Sequence, residues 1–204
     1  MKNIIPIAEF KILKKLNSPT KIQDFLDQMP INFEPNGDTC MSPMSVLKNN
    51  TCHCIEGAVL AALALRLAGE QPLLLDLTAN KNDFDHVVAL FKKYGKWGAI
   101  SKTNHAALRY REPIYNSIRE LVMSYFHEYT DKFGRKNLRS YSLPVNLKRF
   151  DKLDWMNTTD DVFYIPEYLV EVKHFKLLNT QQIRNLRKAD HFETKIGQIT
   201  EWPE

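Results

Sequence analysis

Apolar and polar residues follow a helical period through the first part of the chain. Helical spacing is present at residues 7–16, and a second helix is predicted to begin after a capping Ser18 or Thr20. Its inward face carries Ile22, Phe25 and Leu26. The segment SPMSVL predicts a short helix with Ser42 as its cap and Pro43 at its first position.

The centre of the chain has the strongest pattern. From Cys54 to Ala68 the only polar side chains are Glu56 and Arg66. A helix that is apolar on nearly all sides is buried in a core, and Gly69 is well placed to end it. Three apolar runs follow, PLLLDLTA, HVVALFKK and KWGAIS, and the dipeptide YG between the last two predicts a hairpin turn. The pattern therefore predicts the order helix, strand, strand, strand.

The second half of the chain is predicted to be mostly helical. A helix is expected over residues 115–129, a strand at LRSYSLPV, and helical pieces near 149–155, 166–175 and 180–188. Because no Gly- or Ser-rich linker interrupts the chain, we expect residues 1–204 to form a single domain, with a mostly helical part, 147–204, packed on it. Strands and helices in separate runs, without strict alternation, predict an α+β fold.

Composition and charge narrow the functional classes. The chain has 204 residues, of which 44% are hydrophobic and 25% charged, which is typical of a globular domain with a packed core. The net charge of +4 is too small for a dedicated nucleic-acid binder, so no nucleic acid is expected as a partner. No apolar run has membrane-spanning length and the N-terminus makes a poor signal peptide, so no membrane partner is expected. Three cysteines do not make a disulfide framework, which favours a cytoplasmic location, while the oligomeric state stays open.

The triplet Cys52-His53-Cys54 has three interpretations. Zinc sites usually use cysteines separated by two residues, and this pair is separated by one with no second pair in the chain, so no metal site is predicted. Buried cysteine also packs as a small hydrophobe. The third interpretation is a nucleophile. A cap at Thr51 or Asn50 would place Cys54 in the first helical turn, where unpaired N–H groups favour a thiolate.

A nucleophilic thiol also needs a histidine partner. His86 begins a predicted strand where a polar loop meets the sheet, which is where a helix N-terminus packed on the sheet would reach it. His53 is predicted to be a bystander, because neighbouring residues on a helix point in different directions. Glu56 is expected to form a cap or an ion pair, because an unpaired buried charge is costly.

The motif CIEGA, the apolar helix and glycine turn after it, and the run HVVALFKKYGKWGAIS together resemble the core of the transglutaminase-like superfamily. In that superfamily a cysteine opens a helix, a histidine begins a later strand, and the next strand has a tryptophan near its start and an aspartate at its end. Here Cys54 and His86 are 32 positions apart and Trp97 takes the tryptophan position. The resemblance covers about Ser42 to Ser101, and residues 42–104 are expected to be the corresponding core segment.

The resemblance implies a papain-like, transglutaminase-type core. The buried helix that begins at Cys54 would pack on an antiparallel sheet, with additional helices from both termini. It also implies cysteine-dependent acyl chemistry on a peptide or amide substrate, with no cofactor. Cys54 would attack the carbonyl carbon, His86 would move the proton, and the thioester would pass to water, as in an amidase, deamidase or protease, or to an amine, as in a transglutaminase-like acyltransferase.

The chain departs from the family at the aspartate position, which is Ser101. A serine can hold one hydrogen bond but supplies no charge. Either Ser101 or Asn104 then orients the histidine ring, or the domain is catalytically inactive and binds a peptide or partner protein in the same cleft. An oxyanion hole would use the N–H of Cys54 and a second donor, Asn49 or Asn50.

Overall fold

The computed structural model describes residues 10–201. Within that range the strands are β1 (Leu73–Ala79), β2 (His86–Lys93), β3 (Lys96–Ile100), β4 (Arg111–Tyr115), β5 (Leu138–Ser142), β6 (Val145–Asn146) and β7 (His174–Lys176). The helices are α1 (Phe10–Leu13), α2 (Pro19–Asp27), α3 (Pro43–Asn49), α4 (Cys54–Leu67), α5 (Ile118–Tyr125), α6 (Tyr164–Glu171), α7 (Thr180–Arg184) and α8 (His191–Gln198). A 3₁₀ helix spans Leu147–Leu153.

The strands form one antiparallel sheet in the order β4-β3-β2-β1-β5-β7, with β6 also paired to β1. β2 and β3 are a hairpin whose turn residues, Tyr94 and Gly95, both have positive φ, 53° and 76°. A two-residue turn in which both residues have positive φ has a backbone twist that matches the twist of the two strands it joins. The predicted hairpin, and the predicted order of α4, β1, β2 and β3, are confirmed.

Helix α4 is the centre of the core. Its residues 55–65 are all buried. It packs against the face of the sheet that carries Leu74, Val87 and Ala89. The helix ends as predicted at Gly69, whose φ of 93° lets the N–H of Glu70 donate to the carbonyl of Leu65 at 2.9 Å.

The sheet separates two apolar clusters, so both of its faces are covered. One cluster lies on the α4 side, and α2, α3, α6 and the 3₁₀ helix contribute to it. The other joins Leu121, Val122 and Tyr125 of α5 to sheet residues such as Val88 and Leu90. The protein is thus a mixed α+β fold with helices on an antiparallel sheet. None of the helices within residues 10–201 is long and apolar enough to cross a membrane.

The helix caps agree with the sequence pattern. The side chain of Ser18 caps α2 by accepting from the N–H of Lys21, and that of Ser42 caps α3 by accepting from the N–H of Ser45. The first predicted helix begins outside the described residues, and its described part is the short α1.

Two predicted helices in the second half are wrong in part. The helix expected over residues 115–129 is the end of strand β4 followed by α5. The piece expected at 166–175 is α6 followed by strand β7, which pairs with β5. Both strands lie at edges of the sheet. The C-terminal part therefore packs on the same sheet, but it adds a strand to it.

Candidate active site

A cavity of about 640 Å³ opens where the N-terminus of α4 meets the start of β2. Cys54 and His86 both line it. The rest of the wall comes largely from three loops, residues 31–34, 83–85 and 102–108. The structure therefore brings the two residues of the sequence-predicted pair to one cleft.

Cys54 is the first residue of α4, and His53 is the N-cap, with extended backbone angles of φ −96° and ψ −170°. The predicted cap at Thr51 or Asn50 is wrong. Asn50 instead ends α3 in a left-handed conformation, φ 50°, and Cys52 forms an isolated bridge with Ile31 before the helix begins. The N–H of Cys54, at the first helical position, has no acceptor within the helix.

The buried carboxylate of Glu56 fixes this helix start. Glu56 has no exposed surface, and it accepts from the backbone N–H of His53 at 3.0 Å and of Met41 at 2.9 Å. The side chains of Thr39 and Asn32 donate to it at 2.8 and 3.2 Å. The predicted capping role of Glu56 is confirmed, and its charge lies at the positive end of the helix dipole.

The imidazole of His86 is held by Ser101. Its Nε2 lies 2.8 Å from Ser101 Oγ, and that hydroxyl donates to the carbonyl of Leu108 at 2.5 Å. Because a hydroxyl has one hydrogen, Ser101 accepts from Nε2–H of the ring. The remaining nitrogen, Nδ1, is therefore the one available to the thiol of Cys54.

Asn104, the other residue predicted to orient the ring, is turned elsewhere. Its Nδ2 donates to the carbonyl of Glu201 at 3.5 Å, and the N–H of Glu201 donates to the Asn104 carbonyl at 2.8 Å. Asn104 lines the cavity but holds the C-terminal segment against it. Of the two alternatives, the structure brings Ser101 to His86.

Gln23 of α2 positions Ser101 in turn. The N–H of Ser101 donates to Gln23 Oε1 at 3.0 Å, and Gln23 Nε2 donates to the Ser101 carbonyl at 2.8 Å. Both residues are buried. Sequence reasoning missed this contact, because nothing in a glutamine on an amphipathic helix indicates a partner 78 positions away.

The thiol of Cys54 has an unusual environment. Its burial raises the pKa, but hydrogen bonds with the side chains of His53 and His86, together with their charges, lower the pKa more, to about 5. The pKa of His53 moves the other way. Burial lowers it, and the hydrogen bond with Cys54 and the charge of Glu56 raise it, with a net result of about 9. The two opposite shifts favour a pair in which Cys54 is a thiolate and His53 an imidazolium.

The prediction that His53 is a bystander is therefore wrong. It was drawn from the directions of side chains within a helix, whereas His53 precedes the helix and has extended angles. Its Nε2 lies 3.0 Å from the carbonyl of Thr39, which leaves Nδ1 for Cys54.

The other two cysteines are buried and have a different chemistry. Cys52 has no exposed surface, and burial raises its pKa to about 12. Burial also raises the pKa of Cys40. Cys54 is only half-buried and is the one thiol of the three whose pKa is lowered. Residues 10–201 contain no group of three or more side chains that could hold a metal ion.

The predicted second oxyanion donor is not found at the cavity. The amide of Asn49 donates to the sulfur of Met41 at 3.1 Å, and Asn50 forms the end of α3. Lys102, which lines the cavity, also directs its amine away from it, to the carbonyls of Leu26, at 2.8 Å, and Met29.

Neither a protein-family model nor a curated protein matches this chain. The resemblance to the transglutaminase-like superfamily thus rests on the order and spacing of the motifs around Cys54, His86 and Trp97. The chemistry of the site is derived from its own contacts.

Proposed function

We propose that this protein carries out cysteine-dependent acyl chemistry on an amide or peptide bond, on a papain-like, transglutaminase-type core. The observation that carries the proposal is the placement of Cys54. Its thiol lies at a helix N-terminus in contact with two imidazoles, one of which, His86, is anchored through its far nitrogen by Ser101. A nucleophile, a base and an orienting group in this order are the elements of a catalytic triad.

The reaction would proceed through a thioester. The Cys54 thiolate attacks the carbonyl carbon, an S–C bond forms, and the carbonyl π electrons move to the oxygen. The intermediate collapses by breaking the C–N bond, and the His86 imidazolium gives its Nδ1 proton to the departing amine. Water or a second amine then attacks the thioester, gives its proton to His86 and releases the thiolate.

Ser101 supports this chemistry without a charge. Its hydroxyl accepts from His86 Nε2–H in either protonation state of the ring, because the hydroxyl hydrogen is already committed to the carbonyl of Leu108. The ring is thereby fixed in the tautomer that leaves Nδ1 toward the thiol. Ser101 thus orients the ring as an aspartate would, but it supplies no negative charge.

The rim of the cleft favours a peptide substrate. The side chain of Phe84 is 90% exposed, yet its loop is pinned from both sides. Tyr129 Oη donates to the Phe84 carbonyl, and the carboxylate of Asp85 accepts from the N–H of Ala79 at 2.7 Å. A large apolar side chain exposed on a tethered loop, two residues before His86, is suited to contact an apolar side chain of the substrate.

The alternative function is a catalytically inactive domain that binds a peptide or partner protein in the same cleft. The neutral Ser101 at the aspartate position favours it. The Phe84 rim serves binding as well as it serves catalysis, so turnover is what distinguishes the two functions.

The test is a screen of peptides and simple amides for hydrolysis and for transfer to added amines, with mass detection of an acyl-enzyme. We expect a mass increase on Cys54 and turnover that Cys54→Ala abolishes. The matched control is Cys52→Ala, which removes a buried thiol two residues away and is expected to keep turnover. Peptide binding that is equal in the wild type and Cys54→Ala, with neither acyl-enzyme nor product, would establish the binding function instead.

A further inference from the structure

The ring of His53 is surrounded by acceptors at one nitrogen. Its Nε2 lies 3.0 Å from the carbonyl of Thr39, 3.4 Å from Glu34 Oε1 and 3.4 Å from Glu56 Oε1. The first two acceptors come from the loop before α3 and the third from α4 itself. Because all three are oxygens, Nε2 must carry a hydrogen.

The side chain of His53 also forms a hydrogen bond with that of Cys54, and because the three oxygens occupy Nε2, we assign this hydrogen bond to Nδ1. A neutral imidazole has one N–H, and here Nε2 holds it. To donate to the Cys54 thiolate through Nδ1, the ring must gain a second hydrogen and become an imidazolium. Two carboxylates at Nε2 and a thiolate at Nδ1 stabilise that charge from both sides. His86 approaches the thiolate as a second donor from β2.

We propose that His53 is a second catalytic imidazole, a fixed imidazolium that ionises Cys54 while His86 carries the proton of the reaction. This division of labour rests on the acyl chemistry proposed above. It goes beyond the Cys54, His86 and Ser101 set by giving a role to the middle residue of the Cys-His-Cys triplet.

The division is consistent with the balance of protons. His86 loses its proton to the departing amine and regains one from the attacking water or amine. His53 keeps both of its N–H groups throughout. When Cys54 becomes a neutral thioester, the His53 charge stays balanced by Glu34 and Glu56, so no proton has to leave.

The same arrangement accounts for the neutral residue behind His86. In a site with one histidine, that ring must both ionise the thiol and donate to the leaving group, and a carboxylate behind it stabilises its charge. Here the negative charge lies behind His53 instead, in Glu56, which is fully buried, and Glu34. Ser101 therefore needs only to orient the second ring.

The test is the pH dependence of Cys54 alkylation by iodoacetamide in three histidine variants. His53→Asn is chosen because asparagine is a favourable N-cap, so α4 keeps its start. His86→Asn removes the second ring, and His105→Asn is the matched control. His105 lines the same cavity, with its Nδ1 3.2 Å from the carbonyl of Gly197.

We expect His53→Asn to raise the midpoint of alkylation by about 1–3 pH units, the usual effect of removing an adjacent opposite charge. His86→Asn should abolish turnover and leave the midpoint below that of His53→Asn, and His105→Asn should leave the midpoint at its wild-type value. An unchanged midpoint in His53→Asn would overturn the proposal. So would a larger shift in His86→Asn than in His53→Asn.

A second measurement does not depend on the folding of His53→Asn. In the wild type and in Cys54→Ala, the ring of His53 is titrated by NMR. We expect a lower titration midpoint in Cys54→Ala, because the thiolate that stabilises the imidazolium is gone, and an equal midpoint would contradict the pairing. Acid-shifted alkylation that depends on His53, without turnover of any substrate, would defeat the proposed function and keep the ionisation role. If His53→Asn leaves turnover intact, the proposed function stands and the ionisation role of His53 is contradicted.

Discussion

His86 Nε2 lies 2.8 Å from Ser101 Oγ, and the hydroxyl of Ser101 donates a hydrogen bond to the carbonyl of Leu108. Two neutral groups, the Ser101 hydroxyl and the Leu108 carbonyl, thus occupy the place where the superfamily resemblance predicts an aspartate. These hydrogen bonds orient the His86 ring and leave its other nitrogen for Cys54. The proposed reaction therefore depends on the hydrogen bond between His86 and Ser101.

Removing the hydroxyl tests this directly. Ser101→Ala frees the His86 ring, and an orienting hydrogen bond of about 1.5–3 kcal/mol corresponds to a loss in kcat of roughly 10- to 100-fold, with KM little changed. The control is Asn104→Ala, which removes an amide that donates to Glu201 and not to His86. Steady-state kinetics that show a larger loss for Asn104→Ala than for Ser101→Ala would reverse the assignment.

Gln23 is expected to stabilise the fold through Ser101. Gln23→Ala leaves both the buried N–H and the buried carbonyl of Ser101 without their partner, at a cost of about 2 kcal/mol in the free energy of unfolding. Gln28→Ala, which truncates an exposed glutamine at the end of the same helix, is the matched control and should cost far less. Urea denaturation measures both, and equal values would contradict the role of Gln23.

Gly57 of the CIEGA motif has a steric reason for being glycine. A Cβ built on it would lie 2.6 Å from Lys102 Cβ, although alanine has the better helix propensity by about 1 kcal/mol. We expect Gly57→Ala to lower the free energy of unfolding by about 1–3 kcal/mol. In the control Gly197→Ala, the nearest contact is the rotatable hydroxyl of Thr130 at 3.0 Å. That change should be neutral or stabilising, and a stable Gly57→Ala would refute the close packing.

Asp76, which lies outside the cleft, is expected to make the stability of the fold depend on pH. Burial raises its pKa from 3.8 to about 6, against the lowering effect of hydrogen bonds from Thr78 and His174. The folded state therefore keeps a proton that the unfolded chain has lost, and stability falls as the pH rises from about 4 to about 6.

Asp76→Asn lacks this titration. We expect its free energy of unfolding to rise relative to the wild type by about 3 kcal/mol across that interval, as measured by denaturation at a series of pH values. Asp160→Asn, at an exposed position, should run parallel to the wild type. Parallel curves for Asp76→Asn as well would contradict the raised pKa.

The sequence predicted the centre of the fold and missed its edges for one physical reason. The segment from α4 to β3 is buried over most of its length, so its helix and strands are marked in the sequence by long apolar runs. β4 lies at an edge, its burial alternates only weakly, and it contains Pro113, which an edge strand tolerates because one side needs no donors. β7 has three residues and no fully buried side chain. Their pairing depends on neighbours that no local pattern contains.

At the site, order and spacing were enough to bring Cys54 and His86 together, and to point to Ser101 as one of two orienting residues. The contributions of His53 and Gln23 become visible only in the folded chain. His53 acts through an extended N-cap conformation, and Gln23 acts through a contact between α2 and the end of β3. Neither leaves a signature in the spacing of residues.

The central claim is that Cys54 is a thiolate held by imidazoles, and the pH profile of its alkylation tests this most directly. Wild-type protein is treated with iodoacetamide from acid to alkaline pH, and each cysteine is followed by peptide mass mapping. We predict a midpoint for Cys54 near pH 5, with the buried Cys40 and Cys52 unlabelled until the protein is denatured. A Cys54 midpoint at the ordinary thiol value of about 8.5 would contradict the account.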